Sequence, residues 1–183
     1  MKIQNLNYSP VLRNESKKAL SSLSLTDFPH RRLEKWKYSK FGKFKKTIFH
    51  NEHSFNLNEI KDLDIPVENG FNLVFENGRI NNRLSNIDQL EGLTITSFTE
   101  SSLLLKNIIN KYNSKYDNYF SFLNHSYLQD GLLLKVKKDV RIDKTVNIIY
   151  INTTPNFLSN TRLNIVVEDS SYLSLKQYFI CGA

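Results

Sequence analysis

The spacing of apolar residues changes partway along this chain. From Leu132 onward they alternate with other side chains: Leu132, Leu134 and Val136, then Val140 and Ile142, then Val146, Ile148 and Tyr150, then Leu163, Ile165 and Val167. A period of two predicts strands, and Tyr172 to Ile180 reads as a last one. Asp130-Gly131 is expected to be the turn that opens this region, and Glu168-Asp169-Ser170 a turn within it. Before residue 130 the spacing is mostly helical. Val11, Leu12, Ala19, Leu20 and Leu23 predict an amphipathic helix over 10–24, with Ser9 as N-cap and Pro10 as first helical residue. Ser97-Phe98-Thr99-Glu100 matches a capping box ahead of Leu104, Leu105, Ile108, Ile109 and Tyr112, which predicts a helix over 98–112. A further helix is expected from Asp117, as N-cap, through Tyr119, Phe120, Leu123 and Tyr127 to about Gln129.

Between these helices lies FNLVFENGRI, a hairpin in which Asn77-Gly78 suits a type I′ turn because both central residues need positive φ. A short strand is expected at Leu93 to Thr96 and a short helix near Leu57 to Leu63. The fold class is therefore α+β, with a mainly helical domain over 1–129 carrying a small hairpin and a strand-only region over 130–183. Short, closely spaced strands suit a sandwich, a barrel or a solenoid.

Composition narrows the picture. Hydrophobic residues make up 40% of the 183 and charged residues 23%, a globular balance rather than a disordered one. No apolar run reaches the length of a membrane span, and the N-terminus lacks the apolar core of a signal peptide. A cytoplasmic protein is expected, and the single Cys181 fits a reducing compartment. The net charge of +7 is unevenly placed. Residues 1–46 hold 12 Lys/Arg against 3 Asp/Glu, whereas the remainder is slightly acidic. Within the basic quarter, Phe28 to Phe41 interleaves Arg31, Arg32, Lys35, Lys37 and Lys40 with Trp36 and Tyr38. Aromatics among cations can stack bases and hold phosphates. A nucleic-acid-binding module over 28–46, using Arg31, Arg32, Trp36, Lys37 and Tyr38, is the alternative function. Against it stands the plainer role of Trp36 as a core anchor flanked by long cationic stems.

The chemistry of catalysis has little to stand on. His30, His50, His53 and His125 are scattered, and the His50/His53 pair has no Cys or carboxylate to complete a metal site. Cys181 has no CxxC partner and reads as a small buried strand residue. Neither GxGxxG, GxxxxGKS/T nor GxSxG occurs. Asp62/Asp64 and Glu168/Asp169 read as solvated turn residues rather than an acid/base pair. No catalytic, cofactor-binding or metal-ligating residue is assigned, and a non-catalytic scaffold or interaction protein is expected.

Two stretches resemble one family, the SufD subunits of the SUF iron–sulfur cluster assembly machinery (the SufB/SufD family). The first is Pro29 to Ser39, PHRRLEKWKYS, similar to the family's Pro, Glu and Trp-Lys-Tyr segment. The second is Leu123-Asn124-His125-Ser126 with Asp130-Gly131 and the alternation to Val136, where Ser126 stands at a position that is often Ala. The hairpin FENGRI followed by Leu84-Ser85 is a third, weaker match. The resemblance implies a helical N-terminal domain leading into a right-handed parallel β-helix. It also implies a scaffold that pairs with SufB-like and SufC-like (ATPase) subunits, with the iron–sulfur cluster forming in the assembled complex and none bound by this chain alone. About 50 residues of strand sequence end at Phe179 to Ala183 without a capping segment, whereas solenoids need about three or more repeats and a cap. A truncated gene product or fragment is therefore expected.

Overall fold

A computed structural model of the chain describes residues 2–4, 13–51, 70–86, 90–99 and 118–181. The elements are β1 (Lys2–Gln4), α1 (Arg13–Leu25), a 3₁₀ turn (Glu34–Trp36), α2 (Gly42–Lys46), β2 (Ile48–His50), β3 (Gly70–Glu76), β4 (Arg79–Ile80), β5 (Leu93–Ser97), α3 (Tyr119–Ser126), β6 (Asp130–Val136), β7 (Arg141–Asn152), β8 (Thr161–Val167) and β9 (Tyr172–Cys181). The expected short helix near Leu57–Leu63 and most of that over 98–112 lie outside the described residues, as do Ser9 and Pro10.

The strands form two main sheets, in the orders β4-β3-β7-β9 and β5-β6-β8. Within them β6 pairs in parallel with β8, from Asp130 beside Thr161 to Val136 beside Val167. β7 pairs in parallel with β9. A strand–turn–strand unit, β6-β7, is thus followed by a second, β8-β9, lying in register beside it. The turns repeat as well. Asp139 and Ser170 both take left-handed φ (60° and 57°), and Asp139 N–H donates to the Asp169 carbonyl. The match slips once, between Ile142 and Val146, where β7 carries an irregularity against β9. Two such units are not a solenoid, so the fold is a mixed α+β structure with strands in sheets. β3 and β5, which precede residue 130, belong to the same sheets as β7 and β6.

Side-chain alternation explains how the sheets face each other. Phe71, Leu73 and Phe75 of β3 and Val146 and Ile148 of β7 meet Leu132 and Leu134 of β6 in one buried cluster. The opposite face of the β3/β7 sheet buries Val74, Ile149 and Ile151, with Leu84, Tyr178 and Ile180 packed on them. With both faces covered, the middle of β7 reads as a near-continuous apolar run, as central parallel strands do. A separate cluster joins the helices: Leu23 of α1 meets Leu123 and Tyr127 of α3 and Leu158 of the loop after β7. Ser16, Ala19 and Leu23 are the buried residues of α1, spaced to lie on one face.

Three expectations need correction. Asp130-Gly131 is not a turn but the start of β6. Gly131 is needed because a Cβ there would stand 2.5 Å from the Arg162 carbonyl oxygen and 2.6 Å from the Phe98 ring. α3 is capped by Asn118, one residue after Asp117: its side chain accepts from Phe120 N–H and Ser121 N–H, and Ser121 Oγ accepts from Asn118 N–H in return. Cys181 is exposed rather than buried, because β9 is paired on one side only among the described residues. Ser97 ends β5; its hydroxyl donates to Asp130 and accepts from Thr99 N–H, two residues on, as an N-cap does, while the helix expected after it lies outside the described residues beyond Thr99. The hairpin turn is as expected, with Asn77 at φ 45° and Gly78 at φ 82°.

Candidate functional site

Three features of the described residues could carry function: a buried polar girdle, a basic cup and an open sheet end. The girdle gathers where the hairpin β3-β4 meets β6 and the loop after β7. The Asp130 carboxylate, 2% exposed, accepts from Ile80 N–H at 3.1 Å, Ser97 Oγ at 3.1 Å and its neighbour Gly131 N–H at 2.8 Å. Burial raises its pKa above the ordinary carboxylate range even so, against those donors and the nearby Arg79 charge. Asn77 donates through Nδ2 to Thr153 Oγ1 and accepts from Thr153 N–H at its Oδ1. Gln129 accepts from Asn160 N–H at 2.9 Å. Glu76, with 0% exposure, accepts from Asn81 Nδ2 at 2.7 Å. Each of these side chains ties two segments that are far apart in sequence or closes the hairpin, so the girdle holds strands in register.

The resemblance motif LNHS has a similar task. Leu123 fills the helical cluster. Asn124 donates to the Thr161 carbonyl at 3.0 Å and accepts from Arg162 Nη2 at 3.2 Å, which fixes α3 to the start of β8. Burial lowers the pKa of Arg162. His125 is buried and Ser126 Oγ donates back to the Phe122 carbonyl.

The basic segment folds into a small layer against α3. Trp36 is half-buried and meets Phe41 and Phe120 edge-on, both at 5.4 Å between ring centroids. Phe28 touches Phe41, Phe44, Tyr119 and Phe120. Trp36 is therefore the anchor of the layer, with its ring engaged by protein. Arg31 and Arg32 are exposed, and Tyr38 is 88% exposed with Lys37 Nζ 5.6 Å from its ring. The segment also forms an open cup of about 850 Å³ whose lining includes Asp27, His30, Arg31, Lys40, Lys43 and Lys45. All of its lining residues lie within 27–45, essentially the basic stretch singled out in the sequence; its hollow shape comes from the fold.

Three of the four histidines are among the described residues, each on a separate segment. His30 is exposed, His50 sits on β2 where its N–H donates to the Asn156 carbonyl, and His125 is in α3. His53, Asp62 and Asp64 lie outside the described residues. Glu168 pairs with Lys135 Nζ at 2.8 Å and accepts from Lys138 N–H, which lowers its pKa. Among the described residues no group of three or more His, Cys, Asp or Glu could hold a metal ion. No helix among them is long and apolar enough to cross a membrane.

The open end lies at β8 and β9. Each is the last strand of its sheet among the described residues. Ile165, Val166, Val167 and Tyr172 are partly exposed there, and Phe179 is 75% exposed. Phe75, Tyr150 and Phe179 occupy one row across β3, β7 and β9. Their rings stack nearly parallel at 5.3 Å and 4.9 Å, and Phe179 presents the last of the row to solvent.

Two strand–turn–strand units thus lie in parallel register, with buried polar side chains tying them to the hairpin. Residues 2–148 match the SufBD protein N-terminal region, and the chain belongs to the SufBD family. It is similar to an iron–sulfur cluster assembly SufBD family protein of Synechocystis sp., at 22% identity over 178 residues. That match covers 92% of this chain and 39% of the relative, so the chain spans about two-fifths of the relative's length.

Proposed function

We propose that this chain is a SufD-like scaffold component of iron–sulfur cluster assembly, which acts by holding SufB-like and SufC-like subunits and not by chemistry of its own. One observation carries the proposal beyond family membership: β6-β7 and β8-β9 repeat in parallel register and end on strands whose outer edges are unpaired among the described residues. Unpaired edges with apolar side chains are templates for further strands. In this reading the two units are the first coils of a right-handed parallel β-helix, and the helices and hairpin before residue 130 cap it. The iron–sulfur cluster is cargo of the assembled complex and not a resident group of this chain, and the setting is the cytoplasm.

Co-expression with SufB-like and SufC-like subunits tests the proposal. A stable complex should survive affinity capture under reducing conditions. Phe179→Lys, which places a charge at the end of the aromatic row, should weaken capture of the SufB-like subunit by about tenfold while leaving the melting curve of the isolated chain unchanged. Failure of the unaltered chain to capture either subunit would overturn it.

A further inference from the structure

The basic cup takes no part in stacking strands, and its chemistry calls for a ligand. Four cationic side chains, Arg31, Lys40, Lys43 and Lys45, share its wall with His30, against the one carboxylate of Asp27. Arg31, Lys40 and Lys43 make no ion pair with any described residue. His30 Nδ1 accepts from Arg32 N–H at 3.2 Å, which leaves Nε2 to carry the proton as a further donor. Lys45 Nζ lies 5.6 Å from the Phe28 ring centroid, held over an aromatic wall. Phe28 in turn is braced by Phe41, Phe44 and Tyr119, so the wall is rigid.

Size and charge select the ligand class. A volume of about 850 Å³ suits a small molecule. A single carboxylate would leave most of the cations unneutralised, whereas a chain of two or three phosphates matches them. Arg and Lys are the side chains best suited to phosphate oxygens. Trp36 packs on Phe41 and Phe120 and is not among the residues that line the cup, so it is not available there as a stacking platform. We propose that this cup binds a small phosphate-bearing polyanion, of the class of inorganic tripolyphosphate or a nucleoside triphosphate.

Gly42 supplies a test. It is one of the residues that line the cup, and a Cβ added there meets no heavy atom within 4 Å, so Gly42→Glu adds a negative charge at the lining without a clash at Cβ. Titration calorimetry on the whole chain would use tripolyphosphate, ATP and adenosine, with circular dichroism melts to verify that each variant folds. Tripolyphosphate should bind one to one at about 50 mM salt and roughly tenfold or more weakly at about 200 mM. Lys43→Ala should weaken binding about three- to tenfold and Gly42→Glu by more than about tenfold, while Lys17→Ala on α1 changes nothing. ATP binding equal to tripolyphosphate assigns recognition to the phosphates alone, and tighter ATP binding adds the nucleoside. The proposal is overturned by no saturable binding at low salt, or by Gly42→Glu binding as the unaltered chain does. It is equally overturned by adenosine binding as well as ATP, or by a single-stranded oligonucleotide whose binding survives Gly42→Glu.

Discussion

Replacing Asp130 by alanine should damage the fold more than any exposed substitution, and the amount can be worked from its surroundings. The carboxylate is 2% exposed and accepts three hydrogen bonds, from Ile80 N–H, Ser97 Oγ and Gly131 N–H. A buried donor left without a partner costs about 1–3 kcal/mol. Ser97 Oγ has an alternative neighbour in Thr99 Oγ1 at 2.7 Å, so two of the three donors lose everything. The gross loss is about 2–6 kcal/mol, reduced because the variant no longer holds a buried carboxylate. A net destabilisation of about 2–4 kcal/mol follows. With a urea m-value of about 2 kcal/mol/M, the unfolding midpoint should fall by about 1–2 M at unchanged slope. Asp130→Asn keeps one oxygen acceptor but turns an amide donor towards the other side, so it should fall between the variant and the parent. A midpoint within about 0.25 M of the parent for Asp130→Ala would refute the role of this carboxylate as the junction of β4, β5 and β6, since a water-filled or rearranged site would then do as well.

Other outcomes follow from neighbouring contacts. Raising the pH from about 4 through the elevated pKa of Asp130 should lower stability: the folded protein binds that proton more tightly than the unfolded chain, so its contribution is present at low pH and lost as the carboxyl ionises. Comparing pH-dependent urea midpoints of the parent and Asp130→Asn isolates this slope, and equal slopes would refute it. Gly78→Ala should destabilise by about 1–3 kcal/mol in the same assay, because φ is +82° and the new Cβ would stand 1.9 Å from Gln129 Oε1, driving that side chain from Asn160 N–H. Trp36→Ala should lower stability by about 2–3 kcal/mol through loss of its edge contacts with Phe41 and Phe120. Tripolyphosphate affinity should then change far less than in Lys43→Ala; equal losses in both variants would count against Trp36 as an anchor only.

Local chemistry was legible where the cause was local. Asn77-Gly78 announced its turn because a type I′ turn demands positive φ at two successive positions. The alternations around Leu134 and Ile148 announced strands because both side chains face the apolar cluster between the two sheets. Asp130-Gly131 misled because a side-chain acceptor next to a glycine has two physical uses. Both residues can shape a tight turn, or, as here, the carboxylate can collect donors from two other strands while the glycine lets the Phe98 ring approach. Cys181 misled because the burial of a strand residue depends on whether a neighbour covers it. The cations of the cup lie within the basic stretch 28–46 that the sequence singles out, but their gathering around one hollow is set by the packing of Phe28, Phe41 and the helix α3.

The order of residues by itself therefore determined the strand periods, the hairpin turn, the uneven charge and the motifs that resemble the SufB/SufD family. Each depends on neighbours a few positions apart, or on composition. Only the tertiary structure decided that β3 lies beside β7 and β6 beside β8, that Asp130 and Asn77 lock those strands, and that cations of the basic stretch line one cup. Parallel pairing joins residues across long loops, and its stability comes from burying both faces of the sheet at once. No short stretch of sequence contains that information.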